Sequence, residues 1–382
     1  MTRKVPVVLH VLDSFAHGGA EMGVLRLVER LATKAFRHIV CVLRPNLGLK
    51  GQVPSGTVIR CLELRGRAPE AFWRLAQTAR QTGAAVLHVN NLPAWPDTFV
   101  AARLAGCACI QTFHGVEESR PTLSRSKKML LKIAARKSHR ICAVSASARD
   151  VLAHLLEIPL DWVQVIENGV DTKRFSPCKS PEEKVELRKR LDLPEQQMIF
   201  VSVAGLRHVK NPIGIVEAYA KAFPDPRSWN NPLLLFVGTG PMEEDLRQVI
   251  EKKGLTDRVQ LLGVRNDVAD ILKASDVFLL NSWTEGLSYS VLEAMACGLP
   301  TIVTAVGANP TLIEQGRTGY LYKPGDLQAL SASMRQVLQL GSDGMTAMGK
   351  RAREKVVRAY GLDTMAEAYE QAYRQVIFQN KR

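Results

Sequence analysis

The segment from Asn281 to Pro300 carries the residue types best able to do chemistry: Glu285 and Glu293, with Gly286, Leu287 and Ser288 between them. It reads as strand, loop, helix and turn. Gly298 suits the position just past a helix end and Pro300 cannot continue one, so the spacing predicts a helix from Ser288 to Cys297. Glu285 then lies in the loop at the strand's carboxyl end, and Glu293 lies early in the helix. Backbone N–H groups of Gly286, Leu287 and Ser288 form a donor cluster at the positive end of a helix dipole, suited to a diphosphate. Carboxylates repel phosphate, so the two glutamates are better placed to accept hydrogen bonds from sugar or ribose hydroxyls. Two other readings stay open. Glu293 can close a capping box with Ser290, or the glutamates can be a glycosidase pair, which needs carboxyl groups about 5–9.5 Å apart.

Positive charge for such a site is offered by the loop after the apolar run Ile199 to Val203, which holds Gly205, Arg207, His208, Lys210 and Asn211 before Pro212 at a helix's first turn. Lys210, with Arg207 as a second candidate, can balance charge developing on a departing diphosphate. Near the N-terminus, Asp13 to Glu21 includes Gly18 and Gly19 ahead of a helix beginning near Ala20. Paired glycines there admit a phosphate or sugar to backbone N–H groups, though they also make plain tight turns.

These loops need elements to hold them. Short β-branched apolar runs alternate with polar or glycine-rich loops and helical stretches through both halves, the pattern of parallel strands with helical crossovers. Strands are expected at residues 5–11, 38–43, 58–64, 86–90, 109–112, 141–144 and 163–166, then at 199–203, 233–237, 259–262, 277–280, 301–304 and 319–322. The charged stretch Asp171 to Glu195 reads as a linker followed by the first helix of a second domain, and the tail after Tyr360 is helical in character. Ligands bind at the carboxyl ends of strands in such sheets, which is where the candidate residues fall.

The chain has 382 residues, enough for two cores, and its apolar and charged fractions of 46% and 23% are those of a globular protein. No apolar run approaches the roughly 20 residues of a membrane helix, and the N-terminus does not read as a secretory signal, so a cytoplasmic location is expected. The seven scattered cysteines predict neither disulfides nor structural zinc. A net charge of +14 calls for an anionic partner. From Ser119 to Arg149 there are nine Lys or Arg and no acid, and Lys128, Lys132, Arg136 and Arg140 recur at four-residue spacing around Met129, Leu130 and Ile133. Such a basic amphipathic helix fits an acidic membrane surface on the cytoplasmic side, or is a solvated helix face. Interleaved aromatics for base stacking are missing, so nucleic acid is not expected.

At these residues the chain resembles family 4 of the retaining glycosyltransferases. The resemblance spans nearly the whole chain and rests on Gly18-Gly19-Ala20-Glu21, His114-Gly115, Asn168 to Asp171, Lys210-Asn211, Gly238 to Pro241 and, above all, Glu285 to Pro300. It implies the GT-B fold, an α/β architecture of two facing Rossmann-like, doubly wound parallel-sheet domains. These would be residues 1–172 on the acceptor side and 173–360 for the nucleotide-sugar, with 361–382 crossing back to the first domain. By the same resemblance Glu285 and the amides of Gly286, Leu287 and Ser288 hold the donor sugar and its phosphate. Glu293 takes the ribose hydroxyls, Lys210 the diphosphate, and Gly263 and Val264 the base. Gly18 and Gly19 close over the phosphates, and His114 lies beside the donor sugar, so His114, Lys210 and Glu285 are the catalytic candidates. Two positions depart from the pattern: Gly205 stands where an Arg is usual, leaving Arg207 to supply that charge, and Thr311 stands where a Glu is common.

The implied activity is retaining transfer of a sugar from a nucleotide-sugar, a UDP-sugar by preference, to a lipid-linked or glycan acceptor at the cytoplasmic membrane face. No metal or other cofactor is implied. A sugar-nucleotide epimerase and a non-enzymatic basic binding module are the alternatives.

Overall fold

The computed structural model of the chain describes residues 5–380 apart from 17, 32–34, 66–67, 116–123, 226–227 and 229–230. It divides into two compact units, one reaching Gly169 and resuming at Leu362, the other running from Val170 to Gly361. The second unit's two ends lie side by side: Val170 bridges Gly361 and donates its N–H to the Tyr360 carbonyl at 2.9 Å.

In the first unit, β1 (Val7–Leu12), β2 (Arg37–Val42), β3 (Val58–Cys61), β4 (Ala84–Val89), β5 (Ala108–Phe113), β6 (Arg140–Ala143) and β7 (Val163–Val165) form a parallel sheet in the order 3-2-1-4-5-6-7. In the second, β8 (Ile199–Val203), β9 (Leu233–Val237), β10 (Val259–Leu261), β11 (Val277–Leu280), β12 (Thr301–Thr304) and β13 (Gly319–Tyr322) form another in the order 10-9-8-11-12-13. Helices cover both faces, so the strands need no polar side; every residue of β1, β9, β11 and β12 is buried. Each expected apolar run is a strand. The edge strand β3 stops short of Leu64 because Glu63 takes a left-handed φ of 50°, although Leu62 and Leu64 still donate to Val42 and Leu43 at 2.8 Å.

Each sheet reverses its strand order once, between β1 and β4 in the first unit and between β8 and β11 in the second. Loops leaving neighbouring strands diverge there, which opens a crevice at the carboxyl edge. The diglycine loop follows β1, the Lys210 loop follows β8 and the Glu285 loop follows β11. Both reversals are therefore flanked by candidate residues.

The last helix, Leu362–Asn380, belongs to the first unit's core, where Met365, Ala366, Tyr369 and Tyr373 pack with Val8, Val86, Ile110 and Cys142. Beneath it lie three buried histidines. His10 Nε2 is 2.9 Å from His38 Nδ1, while His88 sits between the Tyr373 hydroxyl and Thr112 Oγ1, each at 2.8 Å. Burial pulls His38 down to about 4, partly opposed by the nearby Glu370, and His88 down to about 3; His10 also falls well below the usual imidazole range.

These groups are neutral when folded and protonate in the unfolded chain below about pH 6.5, so stability is lost as pH falls from there toward 3–4. Each contributes up to roughly 1.4 kcal/mol per pH unit in that window. Denaturant unfolding at pH 7.5, 6.5 and 5.5 should show most of the loss in the lower interval. Equal free energies at 6.5 and 5.5 would contradict a neutral buried cluster.

Candidate functional site

The second unit brings Lys210 and Glu285 together. Lys210 Nζ donates to Glu285 Oε1 at 2.6 Å, and the Ser282 hydroxyl donates to the same oxygen at 2.6 Å. The lysine is four-fifths buried and the glutamate side chain only 8% exposed, so the pair is held away from most of the solvent. Its geometry follows from the local sequence. Residues His208–Lys210 make one 3₁₀ turn, and Asn211 then takes a left-handed φ of 44° while its side chain accepts the Gly214 N–H, starting the helix Pro212–Ala222. Trp283 N–H donates to the Val209 carbonyl at 2.8 Å and Asn281 Nδ2 to the Asn211 carbonyl at 3.2 Å, binding the two loops to each other. Tyr322 OH donates to Asn281 Oδ1 at 3.0 Å, and Thr304 Oγ1 to the Ser282 carbonyl at 2.8 Å. The loops after β8 and β11, held by the end residues of β12 and β13, thus fix one ion pair.

The helix after Glu285 is Tyr289–Ala296, with Ser288 as its N-cap and Gly298 at φ 76° just past its end. This removes the capping-box reading of Glu293. Ser290 is the second helical residue rather than the cap, and Ser288 Oγ lies 3.1 Å from Ser290 Oγ instead of capping the turn. The Ser288 side chain therefore makes no capping bond to the first turn. Glu293 is buried in the second turn. Gly263 and Val264 follow β10, where Gly238 N–H donates to the Gly263 carbonyl at 2.8 Å and Val264 is 47% exposed. The bases of these loops touch backbone to backbone: a Cβ on Gly238 would strike the Ala204 carbonyl, and one on Gly240 the Leu206 carbonyl. A Cβ on Gly205 would lie in ordinary contact with Arg207 Nε, at 3.4 Å, so the Arg207 side chain runs alongside position 205. Thr311 is exposed, with its hydroxyl donating to the Ala308 carbonyl of its own turn at 2.8 Å.

At the first unit's edge the helix Gly19–Leu31 starts at the second glycine, and the Glu21 carboxylate folds against Gly18, where any Cβ would collide with it. His17 of the same loop lies outside the described residues. His114 follows β5, with Nε2 3.3 Å from Asn90 Oδ1; burial pulls its imidazole down to about 4. Asn91 Oδ1 accepts the Asp13 N–H at 3.0 Å, so the loops after β1, β4 and β5 are tied together. Asn90, Asn91, Asn281 and Ser282 were not among the expected site residues. What distinguishes them in sequence is only that each is a polar residue within two positions of a strand's carboxyl end.

The basic helix is Arg125–Lys137, and it differs from expectation. Arg140 is not on it: the helix ends at Ser138, and Arg140 opens β6, bonding Gln164 at 2.6 Å and Gln375 at 2.8 Å. Lys128 and Lys132 both reach Glu157, at 2.6 and 3.3 Å, and Arg136 lies over the Trp162 ring at 5.7 Å. Four-residue steps drift around a helix of 3.6 residues per turn, so Lys128 and Lys132 turn toward the neighbouring helix while Arg136 stays exposed. The exposed face is instead Met129, Leu130 and Ile133, at 57%, 55% and 44%, with Arg125, Lys127 and Lys137 also exposed. Residues 119–123 of the basic run lie outside the described residues. Among the described residues no group of three or more His, Cys, Asp or Glu could hold a metal ion, and no helix is long and apolar enough to cross a membrane.

Gly307 tests how the Glu285 loop is held. It combines a φ of 56° with a Cβ direction that runs into the Glu285 carbonyl, whereas Gly316, at φ 70°, faces open space. Gly316→Ala should cost roughly 1–2 kcal/mol for the left-handed backbone, and Gly307→Ala a further 1–3 kcal/mol or so for the overlap. Denaturant midpoints showing the two variants equal would refute this packing.

Comparison with known proteins agrees with this arrangement. Residues 17–174 match the profile of Glycosyltransferase Family 4, and residues 183–355 that of Glycosyl transferases group 1. The chain is 32% identical over 271 residues to the UDP-Gal:alpha-D-GlcNAc-diphosphoundecaprenol alpha-1,3-galactosyltransferase of Escherichia coli, covering 69% of this chain and 68% of that one. It is 29% identical over 311 residues to the N-acetyl-alpha-D-glucosaminyl L-malate synthase of Bacillus anthracis, covering 81% and 79%. The crystal structure of Anabaena HepE in complex with UDP and glucose superposes with a TM-score of 0.83 over 97% of this chain and 100% of that one, at 19% identity, a likeness of fold. Two all-parallel Rossmann-like units, the GT-B fold, and matches along nearly the full length leave one assignment: the chain is a glycosyltransferase and belongs to glycosyltransferase family 4.

Proposed function

We propose that the chain transfers a sugar, with retention at its anomeric carbon, from a UDP-sugar to a hydroxyl of a lipid-linked or glycan acceptor in polysaccharide or glycolipid biosynthesis. The observation that carries this reading is the Lys210–Glu285 pair, set just before the N-terminal end of the helix Tyr289–Ala296. A diphosphate at that opening meets aligned backbone N–H groups and an ammonium with two further protons to donate, since Glu285 takes only one. The bond from the anomeric carbon to the diphosphate oxygen breaks as the acceptor oxygen bonds to that carbon from the same face. The acceptor's proton passes to the departing phosphate oxygen. Lys210 and the amides then stabilise charge as it develops, so no protein nucleophile or metal is called on. Arg207, alongside Gly205, supplies a second cation at the same loop. The galactosyltransferase relative acts on a diphosphoundecaprenol-linked sugar by its name, and HepE binds UDP, which favours this donor and acceptor.

A separate observation favours an acceptor met at a membrane. The helices Ala71–Thr82, Trp95–Ala105 and Arg125–Lys137 pack side by side and hold nine Lys or Arg against one acid, Asp97. They expose Trp73, Leu104, Met129, Leu130 and Ile133. Apolar side chains among cations suit an anionic lipid surface, with each cation near it worth about 1 kcal/mol.

Lys210→Ala should lower turnover by about 10² or more with the fold intact, and full turnover in that variant would remove the lysine from the mechanism. UDP should raise the melting temperature more than GDP, turnover should survive EDTA, and product formation should require an acceptor; release of an altered free sugar without one would point to an epimerase. Met129→Asp with Leu130→Asp should weaken sedimentation with acidic vesicles while leaving transfer to a soluble acceptor intact. Equal binding of the unaltered protein to neutral and acidic vesicles would count against the membrane reading.

A further inference from the structure

His114 and Asn90 each stand one residue beyond a strand, on the neighbouring β5 and β4. The His114 Nε2 to Asn90 Oδ1 contact of 3.3 Å has a chemical direction. An amide oxygen only accepts hydrogen bonds, and a neutral imidazole carries its one proton on one nitrogen, so this contact requires the proton on Nε2 and leaves Nδ1 as a lone pair. The amide is itself held. Asn90 is buried, its Nδ2 donates to the His88 carbonyl at 3.5 Å, and its backbone N–H donates to Val11 at 3.2 Å. Turning the amide over would point Oδ1 at that carbonyl and an N–H₂ at His114. Among the described residues nothing hydrogen-bonds His114 Nδ1.

We propose that Asn90 is a positioning residue that fixes His114 in the Nε2–H tautomer, so that the nitrogen left for the substrate is an acceptor and the group it receives is a sugar hydroxyl rather than a phosphate oxygen. The inference about the substrate rests on the proposed sugar transfer and on the family resemblance, which implies that His114 lies beside the donor sugar. The neutral state is consistent with the surroundings. Burial is what pulls His114 down to about 4, and its titratable neighbour is His88, which burial, His114 and His38 together push down to about 3. With no proton on Nδ1, a phosphate oxygen there would meet lone pair against lone pair. A hydroxyl would find its partner.

The test is nitrogen NMR on the full chain with ¹⁵N-labelled histidine, the His114 signals being assigned by their loss in His114→Gln. The expected spectrum shows His114 as Nε2–H and uncharged through neutral pH. Asn90→Asp keeps an acceptor oxygen but adds a charge. It should raise the His114 pKa by about 1–3 units and bring a matching ionisation into the pH profile of kcat/KM. Asn90→Leu should mix the two tautomers and lower kcat/KM about tenfold, the worth of one neutral hydrogen bond; Asn90→Asp still decides the matter if the leucine variant does not fold. An Nδ1–H tautomer in the unaltered protein, or a His114 pKa unmoved in Asn90→Asp, would overturn the assignment. Unchanged turnover in His114→Gln would overturn the substrate part alone, leaving the tautomer result standing.

Discussion

Opposite charges from loops after two neighbouring parallel strands meet at 2.6 Å in a largely dry setting, and most of the second unit is arranged to hold them there. A buried ion pair of this kind adds little net stability, because desolvation offsets much of the attraction. Lys210 and Glu285 are therefore better understood as a site than as a fastening. Each would be costly to bury without the other, so the loops after β8 and β11 are bound to rigid neighbours. Ser282 steadies the shared oxygen, and its own carbonyl is held from β12 by Thr304; Asn281 is held from β13 by Tyr322. The pair is maintained by backbone and amide hydrogen bonds from both sides of the strand-order reversal.

That closeness explains the glycines. At Gly214, Gly238, Gly240 and Gly307 a Cβ would enter an amide or carbonyl of the adjoining loop. A Cβ is about the thickness by which such loops are usually separated, and without it they make direct backbone contact. Gly205 differs: a Cβ there would lie in ordinary contact with Arg207, at 3.4 Å, so close packing does not require this glycine, and the charge two residues later simply lies alongside it.

The architecture was legible because buried parallel strands are written as continuous apolar runs, and each expected run is a strand. The loops that hold the candidate residues could be placed by position: those of Gly18, Lys210 and Glu285 follow strands flanking the two reversals, and that of His114 follows β5, one strand further out. What was hidden depends on partners far away in sequence. Lys128 and Lys132 form an even basic stripe until Glu157, the left-handed cap of the next helix, turns them aside. Arg140 continues that spacing only on paper, because Ser138 ends the helix by returning its hydroxyl to the Ala134 carbonyl at 2.8 Å. The apolar Met129, Leu130 and Ile133 were placed among the cations, but which set faces outward is decided by tertiary packing. Asn90 carries no motif at all; its meaning appears only when β4 and β5 lie side by side.

The C-terminal helix shows the same dependence at the scale of a whole unit. Its residues are separated from β7 by the entire second unit, yet Tyr373 and Tyr369 complete the core over β1, β4 and β5. Without that helix the sheet face would leave Val8, Val86, Ile110 and three histidines open to water. Imidazoles at ordinary pKa values would then protonate near neutral pH, whereas beneath the helix they stay uncharged. His88, two residues before Asn90 on β4, hydrogen-bonds the Tyr373 hydroxyl directly. The strand that carries the His114 partner is thus sealed by a helix that follows the whole second unit in sequence, and the first unit's core is closed only when that helix docks.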